Sequence, residues 1–274
     1  MISVTHALVA LTSCALGLVL AAVPSHAGQV TFETANTKLT AELFRPEGPG
    51  PFPAVVALHG CGGLYTRNKS DLSARHRDWA DRLVQAGYAV MFPDSFSSRG
   101  FDEICTKHDR PITPEDRATD AIAAALWLKS QSGIDPSRIN LLGWSHGAMS
   151  LLWAIGTDAS EPSLFASATA FYPGCSKVAR QAGWRPAVPL TILSGANDDW
   201  TEPGPCRELA EKTGFRFIEY PGAYHDFDAP NIPVHIRTGL SAVRSGQAHI
   251  GTNPDARRAA IDVVMQNLAT AHRP

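Results

Sequence analysis

At 274 residues the chain has room for one large domain or two small ones. Hydrophobic side chains make up 44% and charged ones 18%, enough for a substantial core and too apolar for a disordered or fibrous chain. The 24 Lys+Arg against 26 Asp+Glu give a formal charge of −2, with no basic stretch to track a phosphate backbone, which argues against nucleic acid as a partner.

Residues 1–27 contain no Asp, Glu, Lys or Arg. An apolar run over 7–23, broken only by Thr12 and Ser13, leads to Pro24 and then Ser25-His26-Ala27. This layout reads as a secretory leader cleaved after Ala27. The run falls short of the roughly 20 residues of a membrane span, and it continues past Cys14, which argues against a lipoprotein site there. The expectation is export to the periplasm or beyond, a single domain over 28–274, and no stable membrane association once the leader is removed. Four cysteines then remain: Cys61, Cys105, Cys175 and Cys206. In an oxidising compartment they allow two disulfides in three connectivities. Pairing nearest neighbours along the chain gives Cys61–Cys105 and Cys175–Cys206; the alternative is four reduced, buried thiols.

The mature part alternates apolar β-rich runs with helical patterns, as a mostly parallel α/β sheet with helices on both faces requires. Residues 29–33 and 37–44 alternate like paired strands around an Asn-Thr turn. A buried strand is expected over 53–58, a helix over 73–86 stopped by Gly87, and a strand over 88–92. The next helix opens with Thr113, Pro114 at the first helical position, and Glu115 and Asp116 near the positive dipole end. Its apolar positions run through Ile122, Leu126 and Trp127, and Gly133 is its expected stop. Strands follow over 138–142, 166–171, 189–194 and 215–220, with helices over 146–155 and near 206–213. The last helix begins at Asn253-Pro254-Asp255 and carries Ile261, Val264, Met265 and Leu268 at helical spacing.

Gly143-Trp144-Ser145-His146-Gly147 sits between a predicted strand and a predicted helix, the context of a G-x-S-x-G nucleophile elbow. An activated serine needs a base, and the base needs an orienting carboxylate. Both arise downstream, each just past a predicted strand: Asp198 and Asp199 after 189–194, and His225 after 215–220. The order Ser…Asp…His is the one expected of an α/β-hydrolase. Upstream, His59-Gly60-Cys61-Gly62-Gly63 follows the strand over 53–58. Its glycines let the backbone turn an N–H toward the serine, so the backbone N–H groups of Cys61 and His146 are the candidate oxyanion donors.

Together His59-Gly-Cys-Gly-Gly, Phe92-Pro-Asp-Ser-Phe, Gly143-Trp-Ser-His-Gly, Asp198-Asp-Trp and Tyr224-His-Asp-Phe-Asp resemble the dienelactone hydrolase family, over nearly all of the mature chain. The resemblance implies an α/β-hydrolase fold with Ser145, Asp198 and His225 as the triad; the family's spacing favours Asp198 over Asp199. The enzymes that gave the family its name use a cysteine where this chain has Ser145. A general ester or lactone hydrolase, acting on a small molecule without a cofactor, is therefore expected rather than a dienelactone-specific one. The same triad also serves amidases, peptidases and acyltransferases, and a non-catalytic binding module on this fold is the alternative from another class. Trp144 and Trp200 flank the nucleophile and the acid, and Tyr65 lies in a loop on the same side. These three are the expected pocket residues, with Arg67 and Arg99 as further loop candidates. No histidine pair has metal-ligand spacing, so no metal is assigned. Residues 226–252 form a long connection directly after His225, read either as a substrate rim or as a packed surface excursion.

Overall fold

The computed structural model describes Met1 and residues 26–156 and 163–271. Most of the expected leader lies outside the described residues.

Eight strands form one sheet in the order β1-β2-β4-β3-β5-β6-β7-β8. Strands β1 (His26–Glu33) and β2 (Lys38–Arg45) form an antiparallel pair, and β2 joins β4 (Ala89–Asp94) antiparallel. From there every neighbour is parallel: β3 (Phe52–Leu58), β5 (Ile134–Trp144), β6 (Ser167–Phe171), β7 (Leu190–Gly195) and β8 (Arg216–Tyr220). A cleavage after Ala27 would shorten β1 to its part from Gly28 onward.

Both faces of the parallel strands are covered, which is why they read as continuous apolar runs rather than as alternations. Ala54, Val56 and Leu58 point to one core, with Leu128 of α2 (Pro114–Lys129), Leu151 of α3 (His146–Ala154) and Leu209 of α4 (Gly204–Thr213). Val55 and Ala57 point to the other, with Trp79 and Leu83 of α1 (Ala74–Gln85) and Val264 and Leu268 of α5 (Pro254–Thr270).

The N-terminus of α2 is capped as expected. The Thr113 hydroxyl accepts from the Asp116 N–H and the Asp116 carboxylate accepts from the Thr113 N–H, at 3.1 and 2.9 Å. The helix buries a different face from the one anticipated, however: Ala118, Ala121, Ala124 and Ala125 are inside and Leu126 is 52% exposed. Small side chains let α2 lie close to α3 and the sheet, so alanine marks the inner face. The helix ends at Lys129, four residues before Gly133.

Residues 226–252 form more than a connection. They contain an antiparallel pair, β9 (His235–Thr238) and β10 (Gln247–Ile250), and return to their starting point: Ile250 bridges His225 and the Gly251 N–H donates to the His225 carbonyl at 3.0 Å. The disulfides Cys61–Cys105 and Cys175–Cys206 are both formed, in the expected connectivity. They fit an oxidising compartment. Among the described residues no helix is long and apolar enough to cross a membrane.

Candidate active site

Ser145 is the single residue between the end of β5 and the start of α3. Its φ of 50° and ψ of −115° lie where a side chain is rarely tolerated, a cost on the order of 1–3 kcal/mol. The conformation is held from both sides. The Ser145 N–H donates to the Phe171 carbonyl and its carbonyl accepts from the Met149 N–H, each at 2.9 Å. A Cβ on Gly147 would stand 2.1 Å from the Leu58 carbonyl oxygen and 2.5 Å from that of His59. Only glycine lets the first turn of α3 slide under the end of β3. Ser145 is thereby raised to the floor of a cavity of about 200 Å³ that His225 also lines.

Asp198 and His225 come from the turns after β7 and β8. These turns touch: the Asn197 N–H donates to the Ala223 carbonyl at 2.9 Å, and a Cβ on Gly195 would meet that same oxygen at 2.4 Å. Both side chains are buried, and His225 Nδ1 lies 2.8 Å from Asp198 Oδ2. The other carboxylate oxygen accepts the N–H groups of Trp200 and Thr201, each at 2.9 Å. The Thr201 hydroxyl donates to the Tyr172 carbonyl at 2.9 Å and stands 3.1 Å from both Asp198 Oδ2 and His225 Nδ1. With Nδ1 turned to the carboxylate, Nε2 is the nitrogen left to accept a proton. The imidazole lies between Tyr172 and Trp200, with ring centroids 4.4 and 4.6 Å away. Burial alone would push its pKa down, but the charge and hydrogen bond of Asp198 outweigh that and the net shift is upward. Asp199 faces elsewhere, accepting the His249 backbone N–H at 2.8 Å and lying 2.7 Å from its ring.

Cys61, Ser145 and His146 line one small cavity together. His146 is the first residue of α3, where the helix supplies no acceptor for a backbone N–H. Trp200 lines the space around Ser145. Trp144 does not: it is fully buried, stacked on Phe171, with its indole N–H on Asp228 at 2.8 Å. As the last residue of a central strand, it points into the core beneath the elbow. Tyr65 is also absent from the cavities around Ser145, because its hydroxyl is drawn to Glu42 at 2.9 Å. Arg99 is likewise engaged, by Asp120 at 2.8 Å.

Three groups of this site escape sequence reasoning. Buried Asp228 accepts from Trp79, Trp144 and Tyr172, tying α1, β5 and the turn after β6 beneath the imidazole. Its position in Tyr224-His-Asp-Phe-Asp was the signal available. Arg75 pairs with Asp226 at 2.5 Å, lining the cavity beside His225. Fully buried Arg117 reaches the His59 carbonyl at 2.8 Å and His146 Nδ1 at 3.0 Å, bracing the loops that carry the candidate amide donors from behind. Burial pushes Arg117 down to about 10 and holds the His146 imidazole well below its ordinary range. Among the described residues no group of three or more His, Cys, Asp or Glu side chains could hold a metal ion.

A strained serine on a strand-to-helix turn, set in an eight-stranded and mostly parallel sheet, defines an α/β-hydrolase-type protein. The chain belongs to the dienelactone hydrolase family, whose profile matches residues 39–271. It is 30% identical over 139 residues to a Bacillus subtilis (strain 168) protein named as a hydrolase, YtaP, covering 45% of this chain and 46% of that one. It is 29% identical over 143 residues to the quorum-quenching protein AidA of Acinetobacter baumannii (strain MDR-ZJ06), covering 52% of this chain and 44% of the relative. The matches thus span about half the length of these curated relatives. In structure it is similar to a Klebsiella pneumoniae protein described as a dienelactone hydrolase, with a TM-score of 0.68 at 18% identity over 90% of this chain and 99% of that one.

Proposed function

We propose that this protein is a serine hydrolase of carboxylic esters or lactones, working through an acyl-enzyme. The observation that carries the reading is the buried His225–Asp198 pair opening onto the same cavity as a strained Ser145. Ser145 Oγ attacks the ester carbonyl while His225 Nε2 takes its proton, and Asp198 holds the ring and offsets the imidazolium charge. The backbone N–H groups of Cys61 and His146 receive the oxyanion, a donor type worth roughly 10²–10³ each in rate. Collapse expels the alcohol, protonated by His225, and a water activated by the same imidazole then releases the acid. Nucleophile, base and oxyanion donors all come from the chain, so the reaction needs no cofactor.

The apolar segment over 1–27, without Asp, Glu, Lys or Arg, and the two disulfides support an exported protein acting in the periplasm or outside the cell, with 28–274 as its one catalytic domain.

The test is labelling by a fluorophosphonate together with turnover of p-nitrophenyl acetate and its anilide counterpart. Ester turnover and labelling, both lost in Ser145→Ala, are expected. Turnover that survives Ser145→Ala, or an intact fold that neither labels nor turns over, overturns the reading. Preferential cleavage of the anilide would make the protein an amidase instead.

A further inference from the structure

Open space continues past Ser145 in two directions. On one side lies the cavity of about 200 Å³ that His225 shares with Arg75, Asp226, Ile232 and Arg237. On the other is a constriction of about 30 Å³ that shares Cys61, Cys105, Ser145 and Trp200 with the first, lacks His225, and adds His146, Ile104, Met149 and Ala242. Beyond it lies an outer cavity of about 400 Å³, which shares Met149, Trp200 and Ala242 with the constriction. Its floor is apolar, with Ile112, Trp153, Val178 and Val243. Exposed Arg110, Lys177 and Arg244 stand at its mouth opposite Asp199 and Glu202, a rim of mixed sign. The floor, rather than net charge, therefore sets what this cavity prefers.

We infer that the substrate straddles Ser145, with its leaving group in the His225 cavity and its acyl chain threaded between Met149 and Ala242 into the outer cavity. The substrate class is then an ester with an extended acyl chain, unbranched next to the carbonyl. This inference rests on the serine-hydrolase reading above. The direction follows from where the proton must go. When the tetrahedral intermediate collapses, the bond between the carbonyl carbon and the leaving oxygen breaks, and that oxygen takes the proton held on His225 Nε2. The leaving group therefore lies on the imidazole side. The carbonyl carbon stays bonded to Ser145 Oγ and its oxyanion faces Cys61 and His146. The remaining substituent, the acyl chain, has the constriction beside His146 as its way out. A gap this narrow admits a straight chain and rejects a branch at its entrance. Met149, flexible and polarizable, suits the wall of such a channel.

Two ester series test the assignment: p-nitrophenyl acetate, butanoate, 2-methylpropanoate and octanoate vary the acyl side, and 1-naphthyl acetate set against p-nitrophenyl acetate varies the leaving group. Ala242 is exposed in a loop, so Ala242→Phe plugs the channel without entering the core. It should lower the octanoate-to-acetate ratio of kcat/KM tenfold or more while the naphthyl-to-nitrophenyl ratio holds. Ile232→Phe should do the reverse. Met149→Ala should raise the 2-methylpropanoate-to-butanoate ratio. The inference falls if Ala242→Phe moves the leaving-group ratio instead, or if none of the three variants moves its own ratio. Failure of the underlying hydrolase reading looks different: the wild-type protein would turn over no acetate ester, or Ser145→Ala would turn it over equally well.

Discussion

Gly147→Ala would add one methyl group two residues past Ser145, the proposed nucleophile. Its carbon would sit 2.1 Å from the Leu58 carbonyl oxygen and 2.5 Å from that of His59, whereas ordinary contact begins at 3.4 Å. Both obstacles are backbone, so no side chain can swing away; α3 and the end of β3 must separate by more than an ångström. That separation pulls Ser145, at the head of α3, away from the loop bearing Cys61. A misplacement of about 1 Å at a reacting centre costs about 10²-fold in rate, and overpacking costs about 1–3 kcal/mol of stability. Helix propensity alone runs the other way, favouring alanine over glycine by about 1 kcal/mol. Thermal unfolding together with kcat/KM on p-nitrophenyl acetate reads both effects. A variant with wild-type turnover and an unchanged or higher Tm would refute the claim that close approach under β3 shapes this elbow.

As the proposed base, His225 works when neutral, and the net shift of its pKa is upward, so kcat/KM should rise with pH through a midpoint above the ordinary histidine value of about 6.5. A midpoint at or below that value contradicts the His225–Asp198 pairing. Asp198→Asn, which deprives the imidazole of its carboxylate, should lower turnover by roughly 10⁴. Asp199→Asn should leave turnover near wild type, because that carboxylate serves His249 at the surface; the opposite ranking would reassign the acid. The disulfides close loops of 44 and 31 residues, so removing either by paired Cys→Ala changes should cost roughly 4 kcal/mol. For a domain of this size that is a fall in Tm on the order of 10 °C. A Tm unmoved in both double variants would count against any stabilising role for them.

The order of the main elements was legible because the central parallel strands contain short apolar runs and the helices between them are bounded by caps or glycines, whereas the polar β9–β10 pair gave no such signal. The pair formed by Asp198 and His225 was legible for a related reason, since both follow strand ends where an α/β sheet presents its chemistry. What stayed hidden depends on contacts between distant segments. Leu126 looked like a core residue of α2, yet the helix seats its alanines inside to approach α3. Trp144 looked like a pocket wall because it adjoins Ser145 in sequence, but it is the last residue of β5 and buried in the core, while Ser145 is lifted on the strained turn beyond the strand. Asp228 and Arg117 gave no periodic signal at all, being single polar side chains whose partners lie as far as 149 and 58 residues away.

The excursion between His225 and Ile250 leaves and re-enters the body of the protein at one point, beside the imidazole, and its residues border all three spaces around Ser145. Anchored at both ends by the same histidine backbone, it can change length or composition along its middle without shifting the ring it starts from. On the proposed reading, part of the selectivity thereby rests on a stretch that carries none of the reacting groups. Changes along that stretch would then alter what the cavities accept while Ser145, Asp198 and His225 keep their places.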